Sequence, residues 1–382
     1  MRDVLRGYAT PEATRAYAAV HGAHAGDGHY SDFLRTRVRL SSIGVGTFPG
    51  VASAQVDSAV GSIVSRALRS GINVVDTAAH YRYGRALAAV GAGLRDALSH
   101  GVPREAVFVI SKGGFVTFRG GPPQDLEAWF KREIEHRDLG NRAEAADCAH
   151  LLSPAYINYQ IELSRRLMGV DTLDAFLVDQ PEVHIPRLRK EAMNRLLQQV
   201  FEVLEHAVRV NRIRCYGMST FEGFRVETDH PLFQSLTSML GLAEKAAARV
   251  HGHEAARHHF KIVQMPFNQV MLEGFTRFSQ ATGLGNVAST IQAAHQLRLY
   301  AMASHGMLKG HLAQRSALTV ADALPGLTAP QRAVQFNRST PGLGTSLFGV
   351  SSPGHLDDLL AVMDMATLER ARYLAMFRPA DD

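Results

Sequence analysis

From Ser41 onward the chain alternates short runs rich in β-branched residues with longer stretches of helical period. No other feature restricts the fold as much, because this alternation is the pattern of parallel βα units. Eight candidate strands follow one another: Ile43–Val45, Ile72–Val75, Val107–Ile110, Leu173–Val178, Ile213–Met218, Ile262–Gln264, Leu299–Ala303 and Ser346–Val350. Between the first two, apolar residues at Val56, Val60, Ile63, Val64 and Leu68 repeat at three and four, which marks one buried helix face. Comparable faces lie at Leu87–Leu98, Ile157–Leu167, Leu196–Val210, Val287–Leu297 and Leu356–Met365. Eight such repeats predict an α/β fold, a (β/α)8 TIM barrel. Its chemistry then belongs at the C-terminal ends of the strands and in the loops that follow them.

A chain of 382 residues, 46% hydrophobic and 20% charged, can bury a core of that size as a single barrel domain spanning 1–382. Residues 1–40 form an N-terminal extension packed on the barrel, helical around Pro11–His21. Two connections, Gly113–Ser153 and Pro266–Asn286, are far longer than the two to about six residues of ordinary βα loops and would overhang the mouth. Phe115, Phe118, Trp129 and Phe130 in the first either wall an apolar substrate pocket or pack on the barrel rim.

The net charge of +5 comes without a Lys/Arg-rich run, so nucleic acid is not an expected partner. No stretch is apolar enough to span a membrane, and Met1–Ala18 lacks the uninterrupted apolar core of a signal peptide. Cys148 and Cys215 have no metal-ligand spacing and cannot build a disulfide framework, which fits a reducing cytoplasm. The pattern specifies neither an oligomeric state nor a particular substrate.

The most informative stretch is Asn73-Val74-Val75-Asp76-Thr77-Ala78-Ala79-His80-Tyr81, where a buried strand delivers an acid and, five positions later, a tyrosine. The next strand ends in Ile110-Ser111-Lys112-Gly113. Together they place Asp76, Tyr81 and Lys112 at the C-terminal ends of adjacent strands. A lysine beside a carboxylate stays charged, and its ammonium lowers a nearby phenol from its ordinary pKa of about 10. Tyr81 could then act as a general acid or base near neutral pH. A plain Asp76–Lys112 ion pair with Tyr81 merely packed beside it fits the same residues.

Other motifs fail on spacing. Gly44-Val45-Gly46 does not continue into a Gly-x-Gly-x-x-Gly fingerprint, and no P-loop occurs, so a Rossmann domain is disfavoured. His253 and His258 are five apart, where a zinc-protease helix needs four; with His251 and His259 they form a cluster of adventitious metal-binding character, and no functional metal is assigned. Ser219 is no nucleophile elbow, because Phe221 stands where glycine is required.

The Asp-Thr-Ala-x-x-Tyr element and the strand ending in Ser-Lys resemble the aldo-keto reductase superfamily. Matching pieces run from Ser41 to Met365: Ser42-Ile43-Gly44-Val45-Gly46-Thr47-Phe48, Ile161 to Asp171, Gly217-Met218-Ser219-Thr220-Phe221, Val263-Gln264-Met265-Pro266-Phe267-Asn268, and Gly349-Val350-Ser351-Ser352-Pro353. Gly7-Tyr8-Ala9-Thr10-Pro11-Glu12 looks like a bacterial branch. The resemblance implies a nicotinamide dinucleotide laid across the barrel mouth and hydride transfer to a carbonyl of a small-molecule substrate. Tyr81 would be the proton donor, Lys112 its electrostatic partner and Asp76 the anchor of that lysine. Ser219 and Gln264 would hold the carboxamide, with Thr220 where asparagine is usual, and Ser304, Leu308 and Gly310 would line the pyrophosphate.

One departure stands on the fourth strand, Leu177-Val178-Asp179-Gln180-Pro181-Glu182, where the family pattern has histidine in place of Asp179. An ionised carboxylate has no proton to donate and repels a developing alkoxide. Either Asp179 is held protonated and donates, or the reaction is reduction of an activated alkene, since double-bond reductases of the superfamily also carry an acid here, or the site binds cofactor for redox-neutral work or without turnover. His80 and His184 are candidate substitutes for the imidazole, although histidines so placed are more often rim residues. His355 and Asp358 stand at the adenosine end. The family habit favours NADP(H), with NAD(H) close behind because Gly349 and His355 replace the usual basic grip.

Overall fold

The computed structural model describes residues 4–146, 149–283 and 285–377; Cys148 lies outside them. Eight parallel strands close into a barrel in chain order. They are β1 (Ile43–Gly46), β2 (Val74–Asp76), β3 (Phe108–Gly113), β4 (Leu173–Asp179), β5 (Ile213–Ser219), β6 (Phe260–Pro266), β7 (Tyr300–Ser304) and β8 (Thr345–Gly349). Every one overlaps an expected strand; β3 runs on through the polar Ser111 and Lys112, which escaped an apolar criterion, and β6 gains Phe260, Lys261, Met265 and Pro266.

The surrounding helices are α1 (Ala54–Arg69), α2 (Arg85–Ser99), α3 (Pro154–Met168), α4 (Lys190–Arg209), α5 (Leu236–His251), α6 (Thr290–Gln296), α7 (Ala329–Arg338) and α8 (Pro353–Met363). Six begin on a Ser or Thr whose side chain accepts a backbone N–H of the first turn: Ser53, Ser153, Ser235, Ser289, Thr328 and Ser352. Such caps are worth about 1 kcal/mol each and fix where each loop hands over to its helix. The helical reading of Val287–Leu297 is wrong at its start. Val287–Ser289 pairs antiparallel with the strand Phe278–Ala281, and helix α6 begins only after the Ser289 cap. Helices α5 and α7 were not among the expected faces: α5 buries Leu236, Met239 and Leu242 with three alanines, a face the sequence does carry, whereas α7 mixes Gln335, Asn337 and Arg338 into its buried side.

Side chains alternate along a strand, so each barrel strand sends one row inward and one toward the helices. The inward rows, Val74, Phe108, Ile110, Ala175, Leu177, Cys215, Ile262, Tyr300, Met302 and Leu347, form one apolar cluster with Phe33, Val38 and Leu40 of the N-terminal extension. Phe33 plugs the N-terminal end of the barrel, its ring 5.2 Å from Phe108 and 5.0 Å from Tyr300. The extension carries the helix Pro11–Gly22 and a short antiparallel pair, Tyr30–Asp32 with Arg39–Ser41. It is stitched to the barrel by Ala9 N–H to Asp174, which also receives Arg104 at 2.8 Å.

The connection after β3 builds its own small core. Val116, Phe130, Ile134, Ala145 and Leu151 bury themselves against Tyr156 of α3, and Phe118 meets Trp129 edge-on at 4.8 Å. Those aromatics therefore pack on the rim, and only Phe115 turns elsewhere. Among the described residues no helix is long and apolar enough to cross a membrane.

Candidate active site

Continuing the inward rows past the apolar layer, by one step on five strands and by two on β5, where Gly217 intervenes, brings up Asp76, Lys112, Asp179, Ser219, Gln264 and Ser304 at the C-terminal ends of β2 to β7. The sequence thus places a polar ring directly above a dry interior. Lys112 Nζ donates to Asp76 Oδ2 at 2.5 Å, to the Tyr81 hydroxyl at 3.1 Å and to Thr77 O at 3.3 Å. Gln264 Nε2 donates to the other Asp76 oxygen at 3.2 Å, and Ser219 Oγ donates to Gln264 Oε1 at 3.0 Å. Five expected residues are therefore one connected network, with Asp179 beside it at the head of β4.

Tyr81 is not on the strand. It opens a tight turn, Tyr81–Gly84, in which Arg82 and Tyr83 both adopt left-handed backbone angles, φ 46° and 59°. Non-glycine residues occupy that region at a cost, so something must hold them there. Buried Arg82 does so by donating to Thr47 O at 2.6 Å and Pro49 O at 3.1 Å, tying the turn to the loop after β1. That loop also carries Phe48, 60% exposed, whose ring meets Tyr81 edge-on at 5.1 Å.

One lysine faces two carboxylates here. For Lys112, burial works against the charge, but Asp76, Tyr81 and Asp179 more than offset it and hold the ammonium protonated. Burial pushes the Asp179 carboxyl up to about 7, with Asp76 adding to the rise and Lys112 and Ser219 offsetting it only in part. Tyr81 corrects the sequence reading. Burial and the two carboxylates outweigh the pull of Lys112, so the phenol lies above its ordinary value and keeps its proton.

The histidines are a buried group. His150 donates through Nε2 to Asp179 O at 2.6 Å and therefore accepts at Nδ1 from His184 Nε2 at 2.9 Å, and Phe115 lies between His80 and His150, 4.8 and 4.7 Å from them. Burial takes both His80 and His150 down to about 3, so both are neutral. His184, 2% exposed, supports the backbone of Asp179 through His150 and is no rim residue. His80 lies against Tyr81, ring centres 4.8 Å apart.

The remaining expected residues follow on the next loops. The Thr220 hydroxyl is turned to its own backbone, accepting Phe224 N–H at 3.2 Å. After β7, His305, Leu308, Lys309 and Gly310 all have positive φ, a run of tight turns in which Leu308 N–H donates to His305 O and Gly310 N–H to Met307 O, each at 2.8 Å. A side chain added at Gly310 would meet open space, which leaves room above it. His355 is exposed in the first turn of α8, and Asp358 accepts from Gln331 Nε2 at 3.4 Å.

The model of the aldo/keto reductase family matches residues 42–375. The chain belongs to this family. That makes it an NAD(P)-dependent oxidoreductase by family. No curated protein sequence matches it. An aldo/keto reductase from Klebsiella pneumoniae, solved with NADP and acetate, is 19% identical, covering 90% of this chain and 92% of that one at a TM-score of 0.55. The holo form of an aldo-keto reductase from Bacillus halodurans is 15% identical, covering 93% and 96% at 0.61. At such identities the likeness is one of fold.

Within this aldo/keto reductase barrel, sequence reasoning passed over three residues at the site. Phe48 was visible as the second residue after β1, in the loop that the C-terminal-end rule singles out. Glu182 was visible only as part of a motif, yet its carboxylate accepts Phe221 N–H at 2.6 Å and Glu222 N–H at 3.1 Å, pinning the loop after β5. His150 had no signal, since it lies in an excursion without periodicity.

Proposed function

We propose that this protein is an NADP(H)-dependent reductase of small-molecule carbonyls or activated alkenes, with Tyr81 as proton donor and NAD(H) as the weaker cofactor. The observation that carries the reading is the line from Tyr81 hydroxyl to Lys112 to Asp76, 3.1 and 2.5 Å long, at the mouth of a dry barrel. The cofactor's place is supported by the donors present. Ser219 and Gln264 suit a carboxamide, the left-handed run at His305 to Gly310 suits a pyrophosphate, and the N-terminus of α8 with Ser351, Ser352 and His355 suits the adenosine phosphate. The Klebsiella pneumoniae aldo/keto reductase that shares the fold was solved with NADP.

A bound reduced dinucleotide supplies the hydride. Tyr81 keeps its proton until negative charge develops on the substrate oxygen; the proton then passes to that oxygen, and Lys112 stabilises the phenolate left behind. Asp76 fixes the ammonium so that no reorganisation is needed at that moment. Phe48 and Phe115 give the mouth an apolar wall, which favours substrates with an apolar body. Asp179, held neutral by burial, donates a hydrogen bond where a histidine is usual. The reading places the protein in the cytoplasm as a single working unit of residues 1–382.

The pH dependence follows from Asp179. Its pKa of about 7 means that kcat/KM is level in acid and falls as pH rises through about 7, where the group becomes a carboxylate facing an alkoxide. Because its folded pKa lies above the unfolded value, its contribution to stability is full below about pH 4 and is lost as pH rises through about 7. Asp179→Asn retains a donor and removes the titration, so its kcat/KM profile flattens across that range. A wild-type decline that persists unchanged in the variant assigns the step to another group.

The test of the function is stopped-flow oxidation of NADPH and NADH against aldehydes, ketones and enones, alongside binding by protein fluorescence. Turnover with one of these classes supports the reading. Tight binding with no oxidation by any of them assigns the site to redox-neutral work or to cofactor sensing.

A further inference from the structure

At the opposite end of the barrel from Tyr81, three elements bring together a group that the chemistry above does not use. Helix α4 runs back toward the N-terminal end of β5, helix α5 runs back toward that of β6, and Glu205, His251 and His259 meet there. Their candidate ligand atoms all lie within 4.8 Å of one another, the single such group of three among the described residues. Glu205 is wholly buried, while the His251 and His259 side chains are 21% and 34% exposed.

The two carboxylate oxygens have different work. Oε1 is held by the protein, accepting the Tyr216 hydroxyl at 2.9 Å and the backbone N–H of His259 at 2.7 Å. Oε2 faces both imidazoles, with His259 Nδ1 at 2.7 Å and His251 Nε2 at 3.1 Å. One oxygen is thus oriented from behind while the other shares a focus with two ring nitrogens, the arrangement in which an outer partner orients a ligating carboxylate. We propose that Glu205, His251 and His259 bind one divalent cation of the zinc type, with water completing a tetrahedral shell.

The donor set is two imidazoles and one carboxylate, which suits zinc and its neighbours among the transition metals and does not suit calcium or magnesium. Tetrahedral bonds of about 2.0–2.2 Å place neighbouring ligand atoms roughly 3.3 Å apart, so His251 is nearly at distance and His259 must open slightly. Both can move: His251 is the last residue of α5, before Gly252, and His259 precedes β6. A ligating imidazole presents a lone pair on the nitrogen that faces Glu205 Oε2, Nε2 of His251 and Nδ1 of His259, and keeps its proton on the other nitrogen. The exposed side of the pair is where water enters. His253 and His258, which drew notice in the sequence, take no part in the triad. The bound cation would clamp α4, α5 and β6 together at the closed end of the barrel.

The test uses the full-length protein freed of metal by a chelator and titrated with Co2+. The expected result is one ion per chain, with the strong visible bands of four-coordinate cobalt and a higher melting temperature. In His251→Gln/His259→Gln, folded by circular dichroism, affinity falls by at least about tenfold; in His253→Ala/His258→Ala it is unchanged. X-ray absorption of the wild-type zinc complex, which needs no variant, should show two imidazoles and oxygen ligands. No stoichiometric binding, binding that survives the first double variant, binding lost in the second, or a shell without imidazole overturns the proposal.

Discussion

Tyr81→Phe lowers kcat for NADPH-dependent reduction by about 10²–10⁴-fold, the range spanned by one positioned general acid, while the dissociation constant for NADPH stays within about threefold. The two effects separate because of where the hydroxyl sits. Among the described residues its single hydrogen-bond partner is Lys112 at 3.1 Å, whereas the ring packs on Phe48 and His80, contacts that phenylalanine preserves. Ser219 and Gln264, the proposed carboxamide contacts, are untouched. Stopped-flow oxidation and fluorescence titration on one preparation measure both quantities. Retained turnover removes Tyr81 from the chemistry, and a parallel loss of binding reduces it to a packing residue.

Lys112→Met destabilises the fold by about 3–5 kcal/mol, because it leaves Asp76 as a buried charge without its partner. Lys112 and Asp76 are only 1% and 4% exposed, so water cannot take over the lost contact. Asp76→Asn/Lys112→Met recovers most of the loss, since neither buried charge remains, yet it stays as inactive as the single variant. Urea denaturation and turnover together read the cycle. A single variant with wild-type stability contradicts the buried-pair account, and an active double variant contradicts the role given to the ammonium.

The sequence carried the barrel because its governing pattern is local: a period of two, or one of 3.6 opened by a Ser or Thr cap, is decided within a dozen residues. It failed where tertiary pairing overrode the period, as at Val287–Ser289, where a hairpin partner converts an expected helical turn into a strand. Asp76, Lys112, Ser219 and Gln264 were legible as strand ends, and the inward rows bring them together. What could not be read is what the environment does to them. Tyr81 was expected to be acidified by Lys112, and the net direction is upward, because desolvation depends on the surrounding carboxylates and dry walls more than on one neighbour. Conversely, the aromatics of the excursion after β3 promised a substrate wall and instead fill their own core, leaving Phe115 alone at the site. Glu205 was invisible, since its partners lie 46 and 54 positions away.

The central claim is that one carbonyl can bridge a nicotinamide ring and the Tyr81 hydroxyl. The structure of this protein with NADP+ bound measures it directly. The account predicts the ring above Ser219 and Gln264, with C4 set so that a carbonyl carbon about 3–3.5 Å from it has its oxygen about 2.6–3.2 Å from Tyr81 Oη. A ring bound elsewhere, or a C4 too distant from Tyr81 Oη for a single carbonyl to span, contradicts it.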